Sequence, residues 1–162
     1  MTSSGCQPLD RILHGVWDGD IVLWQLDALD DCSLFVEALF AEAVRDDRHI
    51  VYLRFVQSPR ICDMSAKITI HEIDASGGFE RTTGQIHEYL DSGPAAICLV
   101  DCLSLLGAPW VTDLMIANLL SEACRRLRSV GHNAYIPLLR NRHCPAVLGR
   151  IQQDVDIVLD VY

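Results

Sequence analysis

Six short segments of strand character, most of them separated by stretches of helical length, constrain this chain more than any other feature. Residues 21–26 read Ile-Val-Leu-Trp-Gln-Leu between Asp18-Gly19-Asp20 and Asp27, and an apolar run bounded by turn formers predicts a buried strand. Residues 49–55 are rich in β-branched and aromatic side chains, and residues 67–73 place Ile68 and Ile70 on one face with period two. Residues 95–100 form a continuous apolar run that stops at Asp101, the pattern of a strand covered on both faces of a parallel sheet. Residues 134–139 and 157–162 complete the set.

Helical periodicity fills most of the gaps. In residues 33–44, Leu34, Phe35, Ala38, Leu39 and Ala41 recur at helical spacing with Asp30 or Asp31 as N-cap. Phe79, Ile86 and Leu90 share a stripe in residues 78–91, stopped by Gly93-Pro94. A longer helix is expected over residues 110–129, with Val111, Leu114, Met115, Leu119 and Leu127 inward and Gly131 as C-cap. Pro145 suits the first turn of a last helix ending near Gln153. The order β-α-β-β-α-β-α-β-α-β predicts an α/β fold of three layers, a mostly parallel sheet of about six strands with helices on both faces and right-handed crossovers.

The 162 residues, 50% of them hydrophobic, are expected to form one domain over residues 1–162. The closing strand leaves room for the natural protein to continue past Tyr162. A formal charge of −9, from 13 Lys+Arg against 22 Asp+Glu, repels a nucleic-acid backbone and argues against nucleic acid as a partner. No apolar run reaches the roughly 20 residues needed to cross a bilayer, so no membrane role is expected. Seven cysteines, an odd number without a signal peptide, fit a reducing cytoplasm, with most thiols acting as small buried side chains.

In open α/β sheets ligands gather beyond the carboxyl ends of the strands. After the first strand a phosphate-gripping loop would carry GxxxxGK[ST], whose backbone N–H groups and lysine wrap the phosphates. Residues 25–32 instead read Gln-Leu-Asp-Ala-Leu-Asp-Asp-Cys, without glycine and with three carboxylates, and the only lysine in the chain is Lys67. Asp27, Asp30 and Asp31 suit a hard cation or, more simply, a helix N-terminus. Asp101 stands where a Walker B aspartate holds the water shell of Mg²⁺, or else caps the following turn. Arg140 and Arg142, with His143, follow the fifth strand as candidate anion ligands or as a solvated loop.

Elsewhere, Arg125, Arg126 and Arg128 form a basic patch, either a solvated face or a site for an acidic partner. Cys98 and Cys102 lack a zinc-binding spacing. The six histidines are scattered, and none lies in a recognised metal or nucleophile motif.

The segments Gly19-Asp20-Ile21-Val22-Leu23-Trp24-Gln25, Tyr52-Leu53-Arg54-Phe55, Gly78-Phe79-Glu80, Asp101-Cys102-Leu103-Ser104-Leu105 and Trp110-Val111-Thr112-Asp113, taken in order, resemble the N-terminal KaiC-like or RecA-like region of some bacterial proteins related to phosphoenolpyruvate synthase and pyruvate, phosphate dikinase. The resemblance spans nearly the whole chain. It implies a RecA-like core with a degenerate P-loop, Asp101 at the Walker B position and residues 140–143 at the sensor of the γ-phosphate. Nothing in the chain resembles the ATP-grasp, phosphohistidine or pyruvate-binding parts of a dikinase. The expected function is therefore a non-catalytic module for assembly or regulation, associating with itself or with another protein domain. The alternative is an ATP- and Mg²⁺-binding enzyme or switch that uses Asp101, Arg140, Arg142 and His143. A third reading is redox sensing through Cys98 and Cys102.

Overall fold

The computed structural model of the protein describes residues 2–61, 68–91, 93–94 and 96–162. Its strands are β1 (Ile21–Leu26), β2 (Ile50–Phe55), β3 (Ile68–Ile73), β4 (Ile97–Val100), β5 (Asn133–Leu139) and β6 (Ile157–Asp160). They form one sheet in the order β3-β2-β4-β5-β1-β6, and every pairing is parallel. The helices are α1 (Gln7–Leu13), α2 (Ser33–Arg45), α3 (Phe79–Leu90), α4 (Asp113–Val130) and α5 (Pro145–Gln153). The architecture is the three-layer α/β arrangement expected from the alternation, with a sheet that is wholly rather than mostly parallel.

The strand order dictates which helices lie on which face. The chain travels toward the β3 edge from β1 to β2 and toward the β6 edge in the β3-β4, β4-β5 and β5-β6 connections. Right-handed crossovers therefore put α2 on one face and α3, α4 and α5 on the other. Packing agrees. Val36, Leu39 and Ala43 of α2 pack with Val22, Trp24, Leu26, Tyr52 and Leu99. Ile86, Leu120, Leu127 and Ile151 pack instead with Ile21, Leu23, Leu53, Val100 and Ile136. Neighbouring residues of β1 thus point to opposite faces and are all buried, which is why its sequence reads as an unbroken apolar run.

Pro137 lies inside β5, between two neighbours, where a missing N–H is normally harmful. Its register explains the tolerance. Asn133 N–H donates to Ala96 on the β4 side and Ala134 N–H to Asp20 on the β1 side, so the nitrogen of Pro137 faces β4. The β4 ladder has ended by then, since its last partner on β5 is Tyr135.

Several details differ from the sequence expectation. The polar N-terminus contains α1, whose Gln7-Pro8 start has Pro at the first turn. A 3-10 turn, Leu29–Cys32, precedes α2, and Asp31 accepts the Ala28 N–H there instead of capping α2, while Asp30 accepts none for α2. The fourth helix begins at Asp113, because the Thr112 hydroxyl caps it by accepting the Met115 N–H. Trp110, in the preceding turn, donates its indole N–H to Ala75 O at 2.6 Å. Leu114, expected inward, is exposed, as is Leu34 among the helically spaced apolar positions of α2. Gly131 does end α4, with φ of 74° in the left-handed region that glycine reaches without steric cost. Lys67 and Ala95, expected to begin β3 and β4, lie outside the described residues.

His132 fastens α3 to the sheet from within the core. Its Nδ1 accepts the Ala96 N–H at 2.8 Å, so Nε2 carries the proton it gives to Leu90 O at 3.1 Å. Leu23, 0% exposed and flanked by β5 and β6, reports the packing of the α4 face. Leu23→Ala is expected to lower the unfolding free energy by about 2–5 kcal/mol in urea denaturation, and a loss below about 1 kcal/mol contradicts close packing there.

Candidate functional site

Ligand crevices open where adjacent parallel strands send their chains to opposite faces. In this sheet β2 meets that condition with both of its neighbours, β3 and β4, and β1 meets it with β5; the candidate residues fall at two of these places. One lies between β1, which leads to α2, and β5, which leads to α5. The other lies between β2 and β4. The chain leaving β2 passes on the α2 side, where Ile61 is buried, and β4 leads to α4.

Arg140 occupies the first crevice. It stands in a 3-10 turn, Arg140–Arg142, directly after β5. Its guanidinium donates to Gln25 O at 2.9 Å and to Val161 O at 2.5 Å, and reaches Asp160 Oδ1 at 3.3 Å. Nε lies 2.8 Å from Asp27 Oδ1, an ion pair whose angle falls short of a hydrogen bond. The Tyr162 ring covers the group with its centroid 4.4 Å away. One cation therefore ties the ends of β1, β5 and β6 together, with its side chain only 17% exposed. The buried Gln25 continues the network, donating to Asp160 Oδ1 at 2.7 Å and accepting from Gln152 of α5 at 2.9 Å. An incoming anion must displace two carboxylates and two carbonyls to reach Arg140. Arg142 is exposed.

Asp101 fills the second crevice and is 0% exposed. Its carboxylate accepts the Tyr52 hydroxyl and the Phe55 N–H, the latter at 2.7 Å, while its own N–H donates to Leu53 O at 3.0 Å. The Tyr52 oxygen accepts the Ile61 N–H at 3.3 Å. The aspartate thus latches the end of β4 to β2. Burial pushes its pKa up to about 6, against the lowering effect of the Tyr52 and Phe55 hydrogen bonds and of Arg54 and Arg60.

A third cluster lies between β4 and β5, and it gathers residues that no local pattern of the chain joins. His143 places Nδ1 2.6 Å from Asp113 Oδ1 and Nε2 2.7 Å from Ser104 Oγ. Ser104, in the 3-10 turn Leu103–Leu105 after β4, accepts the Leu139 N–H at 2.9 Å. Asp113 Oδ2 accepts the Cys144 N–H at 2.8 Å. That N–H, and then His143, hold the Asp113 carboxyl below its ordinary pKa. Ser104 and His143 stand 39 positions apart. The signal available in the sequence was that both follow strands, and those strands turn out to be neighbours.

The structure separates the remaining candidates. Asp27 pairs with Arg140 and Asp31 with its own turn, and no three potential metal ligands converge among the described residues. Arg125, Arg126 and Arg128 pair with Glu122, Asp91 and Asp156, which neutralises the basic patch. Cys98 and Cys102 are buried, and burial pushes both thiols up, Cys98 to about 12. They behave as apolar side chains. No described helix is long and apolar enough to cross a membrane. Comparison of the chain with protein-family models and with curated proteins returns no match.

Asp101 gives a pH signature. An aspartate whose folded pKa exceeds its unfolded value of 3.8 binds its proton more tightly when folded, so its contribution to stability is largest at low pH and declines as pH rises toward about 6. The stability of the wild type minus that of Asp101→Asn is expected to fall by about 2–3 kcal/mol between about pH 4 and about pH 6. Chemical denaturation across that window measures it, and a flat difference shows a carboxyl that titrates like an exposed one.

Proposed function

We propose that the chain is a RecA-like module without nucleotide chemistry, serving assembly or regulation through its surfaces in the cytoplasm. The observation that carries this reading is the engagement of Arg140: the crevice where a nucleotide would lie is closed by the protein's own cation, carboxylates and carbonyls. The burial of Asp101 against β2 supports it, because a carboxylate without solvent exposure is poorly placed to order the water shell of Mg²⁺. The glycine-free loop after β1 supports it again, with Asp27, Asp30 and Asp31 repelling a triphosphate.

Exposed apolar side chains favour work through surfaces. Ile12 and Trp17 are 76% and 63% exposed near the N-terminus, and β6 is an edge strand with a partner on one side only, a position open to pairing. The partner is a second copy of the chain or a neighbouring domain, which in the setting suggested by the resemblance belongs to a phosphoenolpyruvate synthase-like enzyme. The cysteines of the described residues, none in a disulfide, fit a reducing compartment.

Titration calorimetry with ATP and Mg²⁺ is expected to give no saturable heat at submillimolar nucleotide, and light scattering is expected to show a mass above the monomer that grows with concentration. Submicromolar ATP binding that Arg140→Ala abolishes overturns the reading. So does a strict monomer that binds no partner domain.

A further inference from the structure

We propose that Ser104, His143 and Asp113 form a nucleophilic site for acyl transfer, in which Ser104 attacks small activated carboxylic esters. The inference goes beyond the assembly reading and stands on different residues from the closed nucleotide crevice.

Asp113 is held as a carboxylate by the Cys144 N–H and by His143, and a carboxylate only accepts hydrogen bonds. The proton between them therefore belongs to His143 Nδ1. A neutral imidazole with its proton on Nδ1 presents Nε2 as an acceptor, and Nε2 faces Ser104 Oγ at 2.7 Å. On its other side Ser104 Oγ accepts the Leu139 N–H at 2.9 Å, so the hydroxyl proton is left to point at Nε2. Each hydrogen in the chain has one direction, and that direction is the one general-base activation of a serine requires: a nucleophile in contact with a base, and a base oriented by a third group.

The scaffold holds this geometry from three sides. Ser104 follows β4, His143 follows β5 and Asp113 opens α4. The His143 side chain is 2% exposed and that of Asp113 35%, so the base is shielded while the cluster borders solvent through Asp113, the partly exposed Ser104 and the exposed Cys144 whose N–H Asp113 accepts. The residues occur in the order Ser, Asp, His, one of several orders in which such triads are found on unrelated folds.

In the reaction, Ser104 Oγ bonds to the ester carbonyl carbon and its proton passes to His143 Nε2. The C–O bond to the leaving alcohol breaks, and that oxygen takes the proton from Nε2. Water, deprotonated by His143, then attacks the acyl-serine, releasing a carboxylic acid and restoring the Ser104 hydroxyl. Asp113 keeps the imidazole oriented and balances its charge while it is protonated.

The test uses the full chain with a fluorophosphonate probe, which phosphonylates an activated serine with loss of fluoride. One adduct per chain, mapped to Ser104 by peptide mass spectrometry, is expected. Labelling is expected to slow by about 100-fold or more in His143→Gln, in protein shown by circular dichroism to be folded. With p-nitrophenyl acetate, the wild type is expected to release nitrophenolate in a burst equal to the chain concentration, and His143→Gln to show none. A folded wild type that takes no adduct overturns the proposal, as does labelling that His143→Gln leaves unchanged. A purely structural tether of Leu139 by Ser104 yields one of those two results. Because these readouts involve neither ATP nor oligomeric state, their failure leaves the assembly reading standing, and failure of that reading leaves them standing.

Discussion

The Arg140 guanidinium binds the carboxyl ends of three neighbouring strands at once, and the form of that edge depends on it. Parallel strands end with carbonyls that the ladder no longer pairs; Gln25 O already accepts the Val161 N–H at 2.9 Å, and the guanidinium adds a second donor there while reaching the Val161 carbonyl beyond that last ladder bond. A planar fork of N–H donors that stays charged at all ordinary pH is suited to such a task. Hydrogen bonds from a charged donor contribute about 1.5–3 kcal/mol each, and here the gain rests mainly on the two carbonyls, because the Asp27 and Asp160 side chains are 52% and 46% exposed and exposed ion pairs add little. A ligand that competes for Arg140 must offset that stabilisation before it gains anything.

The same logic recurs along the edge. Asp101 closes the gap between β2 and β4 by accepting from Tyr52 and Phe55, and Ser104 supplies the acceptor that Leu139 lacks once β4 has ended. Pro137 fits the same vacancy by having no proton to satisfy. In a sheet buried on both faces, polar groups collect at the strand ends, where hydrogen-bonding needs are not met by the ladder. Two of these latches stand where adjacent strands lead to opposite faces, and the third brings a serine, an imidazole and a carboxylate into one line. A purely structural demand and a chemical opportunity thus arise from one constraint.

The fold was legible because burial on both faces writes itself into the sequence. The run over residues 21–26 matches β1, and Pro145 and Gly131 mark helix ends where they were expected. Boundaries set by side-chain detail were less legible: Thr112, not the apolar stripe, starts α4, and a 3-10 turn takes the acidic residues expected to cap α2. The positions of Asp101, Arg140 and His143 after strands could be read from the chain, since each follows an apolar run. Their partners could not. Tyr52, Gln25, Asp160 and Ser104 become neighbours only through the strand order, which places β5 beside β4 and β1, and nothing local in the sequence encodes that order.

The central claim, that the protein's own groups hold Arg140 in the crevice between β1 and β5, is tested most directly by following the Nε–H signal of Arg140 in ¹H-¹⁵N spectra near neutral pH. A guanidinium fixed against carbonyls, a carboxylate pair and an aromatic ring is predicted to give a resolved signal, identified by its loss in Arg140→Lys, that does not move when Mg²⁺ and ATP are added at millimolar concentration. A signal that shifts saturably with nucleotide, together with the amides of residues 27–32, contradicts the account.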